Sequence, residues 1–107
     1  MDKPALADHR IHEIIRDRWS PRAFATTAVA GNDLKALFEA ARWAPSCFNE
    51  QPWFFLYATE PEDREVFTSI LVRKNQSWAA RAPLLMFAMA RRRFLQGGKE
   101  NRHAPFD

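Results

Sequence analysis

Apolar residues recur at helical spacing in three stretches of the chain and run unbroken in two others. From Asp8 to Arg18, Ile11, Ile14 and Ile15 fall on one face, opposite Arg10, Glu13 and Arg16. That is the period of an amphipathic helix, and Asp8 is placed to cap it. Pro21 ends any helix and pushes Ser20 toward extended backbone, so Arg18 to Phe24 reads as extended. A second helix is predicted to start near Asn32 or Asp33, to turn Leu34, Leu37, Phe38 and Ala41 inward, and to stop before Pro45. Trp53 to Ala58 is short, aromatic and uninterrupted, the pattern of a buried strand. Thr59 and Glu62 around Pro61 read as a capping box opening a third helix, with Val66, Phe67, Ile70 and Leu71 on one face. A short helix follows around Gln76 to Arg81, and Pro83 to Ala90 reads as a strand covered on both faces.

The order helix, helix, strand, helix, short helix, strand implies an α+β fold with helices packed on a small mixed or antiparallel sheet. Two strands make a marginal sheet, so the architecture reads as incomplete. With 107 residues and no repeat or linker, residues 1–107 form a single domain, and a partial one.

Composition narrows the class. The chain is 47% hydrophobic and 13% aromatic, which excludes a disordered segment. Cys47 is the single cysteine, so neither an internal disulfide nor a thiolate metal cluster is available. Met1 to Arg10 is polar and has no signal-peptide core, and the apolar runs are too short to span a bilayer, so no membrane association is expected and a cytoplasmic protein is the default. The net charge of +3 and pI of 9.5 leave anionic ligands of several kinds open. Arg91, Arg92 and Arg93 suit either a nucleic-acid surface or the solvated end of a strand, and the second reading is preferred: no nucleic-acid partner is expected.

Three constellations carry candidate chemistry. In Arg18-x-Ser20-x-Arg22, alternate side chains of an extended segment share a face, so two guanidinium groups and a hydroxyl project together toward an anion. The alternative is solvated arginines flanking a packed Trp19 and Phe24. The loop from Pro45 to Pro52 crowds Ser46, Asn49, Glu50 and Gln51 between two prolines, where amides present donors and acceptors to a heteroaromatic edge; a stiffened helix-to-strand turn explains it equally. Asn75 and Gln76 follow two basic residues, with Asn75 also a plausible N-cap for the short helix. His9, His12 and His103 read as surface residues, Cys47 as an inert thiol, and Trp43, Trp53 and Trp78 as core.

Taken together, Arg18-Trp19-Ser20-Pro21-Arg22-Ala23-Phe24, the loop Ala44-Pro45-Ser46-Cys47-Phe48-Asn49-Glu50-Gln51-Pro52-Trp53, the segment Lys74-Asn75-Gln76-Ser77-Trp78 and the late Asn101-Arg102-His103 resemble the nitroreductase family in order and spacing. The resemblance implies an α+β flavoprotein binding FMN at the interface of a homodimer. It implies that Arg18 and Ser20 lie at the phosphate and ribityl end, that Trp19 is among the cofactor-binding residues, and that Arg22 lies near flavin N1 and O2. Pro45, Ser46, Asn49 and Gln51 would approach the isoalloxazine, and Asn75 the ribityl or pyrimidine region. The implied reaction is ping-pong: NADH or NADPH reduces the flavin, and a small-molecule acceptor such as a nitroaromatic or quinone is reduced in turn, with no catalytic side chain required. A non-catalytic flavin- or protein-binding module is the alternative. Members of that family are much longer, with further strands and a C-terminal basic residue for the phosphate, so the chain is expected to be a truncated form.

Overall fold

The two apolar runs pair with each other. The computed structural model of the protein describes residues 3–107; Met1 and Asp2 of the polar N-terminal stretch lie outside the described residues. β1 (Trp53–Ala58) and β2 (Leu85–Ala90) form a two-stranded antiparallel sheet, with Phe54 opposite Met89, Phe55 opposite Ala88 and Leu56 opposite Phe87. Side chains alternate between the faces of a strand. Phe55 and Tyr57 therefore share one face, and Leu56 and Phe87 share the other. α2 (Gly31–Arg42) covers the first: Phe38 lies 5.6 Å from Phe55 and 5.5 Å from Tyr57, centroid to centroid. α3 (Pro61–Ile70) covers the second through Phe67, whose ring is 4.9 Å from that of Phe87. The α+β reading holds, and the sheet is antiparallel.

Both strands were expected to be fully covered, and they are not. Phe54 is 59% exposed, Leu56 46% and Met89 40%, because one helix per face shields only part of a six-residue strand. Among the described residues the fully buried apolar side chains are small, namely Ala58, Ala79, Ala82, Ala104 and Pro52. The chain exposes 9331 Å², about half as much again as the ~6100 Å² typical of a folded monomer of 12.4 kDa. Its radius of gyration is 16.8 Å, against about 13 Å for a compact domain of this length.

The helix ends depart from the sequence expectation in instructive ways. α1 spans only Glu13–Asp17, and its cap is His12, whose Nδ1 accepts from the Ile14 N–H at 3.2 Å, rather than Asp8. Short helices depend on burying an apolar face. Ile11, Ile14 and Ile15 are 40%, 73% and 65% exposed, so nothing propagates this helix toward Asp8. α2 begins at Gly31 after Ala30, leaving Asn32 and Asp33 inside its first turn, where Asp33 complements the helix dipole. α3 follows Glu60 without a side-chain cap, so the Thr59–Glu62 capping box is not formed; Pro61 at the first position supplies a preset φ instead. α4 (Arg73–Ala79) starts earlier than predicted, after Val72, and Asn75 is a helical residue rather than its cap. Gln76 of α4 closes the end of α3 by donating from Nε2 to Leu71 O at 2.8 Å. Among the described residues no helix is long and apolar enough to cross a membrane.

Candidate functional site

The segment after α1 leaves the helix in extended backbone, Arg18 having φ −69° and ψ 128°. In that conformation the side chains two residues apart meet: Arg18 Nη1 donates to Ser20 Oγ at 3.3 Å. Trp19, 37% exposed, carries the Lys3 ammonium 5.3 Å from its ring centroid. Phe24 closes the segment by stacking on Trp78 of α4, centroids 6.1 Å apart and planes 26° apart. Arg22 is exposed.

Four other arginines are committed to carboxylates, while Arg10, Arg64, Arg73, Arg81, Arg93 and Arg102 form no ion pair among the described residues. Arg16 meets Asp17 at 2.6 Å, Arg42 meets Glu39 at 2.7 Å, Arg92 meets Glu100 at 3.2 Å and Arg91 meets Glu50 at 3.3 Å. The hydrogen bond from Arg16 lowers the Asp17 carboxyl below its usual range, and bonds from Arg42 and Trp43 do the same for Glu39. Among the described residues Arg18 and Arg22 form no such ion pair, which leaves their charge for an external anion.

The loop after α2 is built from unusual backbone. Trp43 and Ala44 close the helix through 3.2 Å bonds to Ala40 O and Ala41 O, and a single 3-10 turn follows at Cys47–Asn49. Phe48, Asn49 and Gln51 have φ of 54°, 53° and 46°. The left-handed region suits Asn but costs other side chains about 1–2 kcal/mol each. Ser46 offsets part of that cost: its Oγ accepts from the Gln51 N–H at 2.9 Å and its carbonyl from the Asn49 N–H at 2.9 Å. Pro45 and Pro52 bracket the loop, with Pro52 fully buried.

Several residues have roles that the sequence did not reveal. Trp43, expected in the core, is 74% exposed; it donates from Nε1 to Glu39 and packs on the Arg42 guanidinium. Of the three arginines after β2, Arg91 pairs with Glu50, and Arg93 donates to Gly98 O within a turn closed by the Arg93–Glu100 bridge. Asn101 is 2% exposed; its Oδ1 accepts from the His103 N–H and its own N–H donates to Arg92 O, so it organises the last turn. Cys47 is half-buried, and its backbone N–H donates to Asp107 Oδ2. Glu50 carried no signal as a network centre, since its partners lie 41 and 45 residues away.

The structure thus joins Arg18 to Ser20 and Ser46 to Gln51, and it ties the Arg18–Phe24 segment to α4, which carries a half-buried Asn75. Among the described residues no hydrogen bond, ion pair or aromatic contact joins the Arg18–Arg22 segment to the Pro45–Gln51 loop.

This arrangement can be set beside known proteins. A solved structure described as an oxidoreductase containing FMN superimposes with a TM-score of 0.84 at 36% identity, covering 94% of this chain and 53% of that one. A Streptomyces coelicolor protein whose name couples NADH dehydrogenase with NAD(P)H nitroreductase is 32% identical over 81 residues, 76% of this chain and 40% of its own length. The nitrobenzene nitroreductase of Ectopseudomonas oleovorans is 39% identical over 62 residues, 58% of this chain and 27% of its own. The chain therefore spans about half or less of each relative's length. The model of the nitroreductase family matches residues 15–72, a span holding every candidate residue except Asn75. On the fold, the motif order and this match, the chain belongs to the nitroreductase family.

Proposed function

We propose that residues 1–107 form one partial nitroreductase-like domain carrying half of the FMN site of a cytoplasmic NAD(P)H-dependent oxidoreductase. The observation that carries the reading is the Arg18–Ser20 pair: a guanidinium bonded to a hydroxyl, outside any ion pair among the described residues, on extended backbone within the family-matched span. That donor set fits a phosphate monoester, which arginine meets bidentately and a hydroxyl meets with a short bond. Arg18 and Ser20 would hold the phosphate, beside Trp19. Arg22, exposed and outside any ion pair among the described residues, would place a fixed cation by the pyrimidine edge, where such a charge favours the reduced state. Pro45, Ser46, Asn49 and Gln51 would line the ring, with Asn75 toward the ribityl side. FMN, when bound, supplies hydride chemistry between NADH or NADPH and a small electron-poor acceptor such as a nitroaromatic or quinone.

The large exposed surface, together with the lack of any direct link between the two loop segments among the described residues, favours a site completed across a homodimer. Obligate interfaces commonly bury more than ~2000 Å², so the excess surface has the right scale.

The test is a visible absorption spectrum of the chain reconstituted with FMN and desalted. Retained flavin, lost in Arg18→Ala and Ser20→Ala, is the expected result. No retained flavin in a folded wild-type chain overturns the reading. NAD(P)H oxidation is the second assay, and sedimentation in the presence of FMN is the measurement for the dimer.

A further inference from the structure

Between Asn49 and Gln51, both at positive φ, stands Glu50 in ordinary right-handed conformation, φ −68° and ψ −20°. Its side chain is 16% exposed, against 40% for its partner Arg91. The carboxylate reaches the arm that follows β2. Oε2 accepts from the Leu95 N–H at 3.0 Å and from Arg91 Nη2 at 3.3 Å, and the same Nη2 donates to Glu50 O at 3.2 Å. The Arg91 N–H donates to Pro52 O at 2.8 Å, and Phe48 meets Phe94 edge to face at 6.1 Å.

These ties bear on shape because the loop does not favour its own conformation. Phe48 and Gln51 have no intrinsic preference for left-handed backbone, and such residues stay there only when their surroundings over-determine them. Ser46 braces Gln51 from inside the loop. Glu50 supplies a tie from outside, on the residue between the two candidate amides. Arg91 also offsets the Glu50 charge, which would otherwise repel an anionic ligand held nearby.

We propose that Glu50 and Arg91 are positioning residues for the candidate flavin loop: their pairing, together with the Leu95 amide, holds the left-handed backbone on which Asn49 and Gln51 are displayed. The proposal rests on the flavin reading above, but its first readout needs no flavin.

The test is amide hydrogen exchange of the flavin-free chain, followed by FMN titration, for the wild type, Glu50→Ala, Glu50→Gln and Arg91→Gln. Glu50→Ala is expected to speed exchange at Leu95, Asn49 and Gln51 about tenfold and to raise the FMN dissociation constant about tenfold, the factor expected from losing one charge-assisted hydrogen bond. Glu50→Gln retains an acceptor for Leu95 and should recover most of both. Protection at Leu56 and Phe87, which face each other at a hydrogen-bonded pair of the sheet, reports whether each variant folds. If Glu50→Ala fails to fold, Arg91→Gln, altered at a more exposed position, decides through Asn49 and Gln51 exchange. Unchanged loop exchange in folded variants overturns the latch and leaves the flavin reading standing. Faster loop exchange with unchanged FMN affinity overturns the positioning role. A folded wild type that binds no FMN overturns the flavin reading and this role with it, whatever the exchange data show.

Discussion

Phe24 lies on Trp78 with ring centroids 6.1 Å apart, so the end of the Arg18–Phe24 segment is fastened to the helix that carries Asn75. More than fifty residues separate the two rings in sequence. The segment has no strand or helix of its own to hold it, which makes this stack a main support for where Arg18, Ser20 and Arg22 are presented.

Replacing Phe24 with Ala should therefore lower stability by about 1–2 kcal/mol, from the aromatic pair and its partial burial. It should also weaken FMN retention, although Phe24 is not among the proposed contacts. Urea unfolding and flavin titration on one preparation check both. A loss of stability with undiminished affinity would show that the segment is held elsewhere.

Arg18→Ala and Arg42→Ala remove the same charge from different settings. Arg18→Ala should weaken FMN binding about ten- to hundredfold, as for a lost charged hydrogen bond, with stability changed by less than about 0.5 kcal/mol. Arg42→Ala should leave FMN affinity within a factor of about two, since its guanidinium is engaged with Glu39. Equal effects of the two variants would point to a general charge effect in place of a specific site.

Acid should act weakly and late. Asp17 and Glu39 are held below their ordinary carboxyl values of 3.8 and 4.5, chiefly by hydrogen bonds from Arg16 and Arg42. A carboxyl lowered in the folded state adds stability that is fully present above its unfolded value and is lost as pH falls through the lower folded value. Thermal melting of the wild type and of Glu39→Gln should therefore coincide in pH dependence down to about pH 5 and diverge only below about 4.5. Divergence near neutrality would show that another group dominates.

Trp43→Ala and Phe67→Ala separate surface from core. The exposed Trp43 should tolerate the change within about 0.5 kcal/mol, whereas Phe67, half-buried against Phe87, should lose about 2 kcal/mol or more. Denaturant midpoints decide. A large loss at Trp43 would mean that a partner covers it in solution.

Periodicity and short-range grammar carried most of what could be read in advance. Trp53–Ala58 was legible to the residue, because an aromatic run bounded by Pro52 and Thr59 has few other fates. Helix existence was legible, but helix ends were not. The Asp8 cap lost to a tertiary effect, too little apolar cover for the α1 isoleucines, and the Thr59–Glu62 box to a local one, the proline start of α3, while α2 simply begins one residue ahead of Asn32. The Arg18–Ser20 pairing followed from the two-residue period of extended chain. Glu50 and Arg91 could not be matched, since opposite charges far apart in sequence have many candidate partners.

The two-stranded sheet has one further consequence. A sheet of two strands has two borders and no interior, so the outer backbone of β1 and of β2 is open to a third strand. Natural sheets guard such rims with lysine, proline or a bulge; here the six residues of β1 are Trp-Phe-Phe-Leu-Tyr-Ala, and those of β2 carry no charge either. Such a rim is a template for any extended, apolar polypeptide, which makes the order of assembly, as well as the contacts formed, a factor in the fate of this chain.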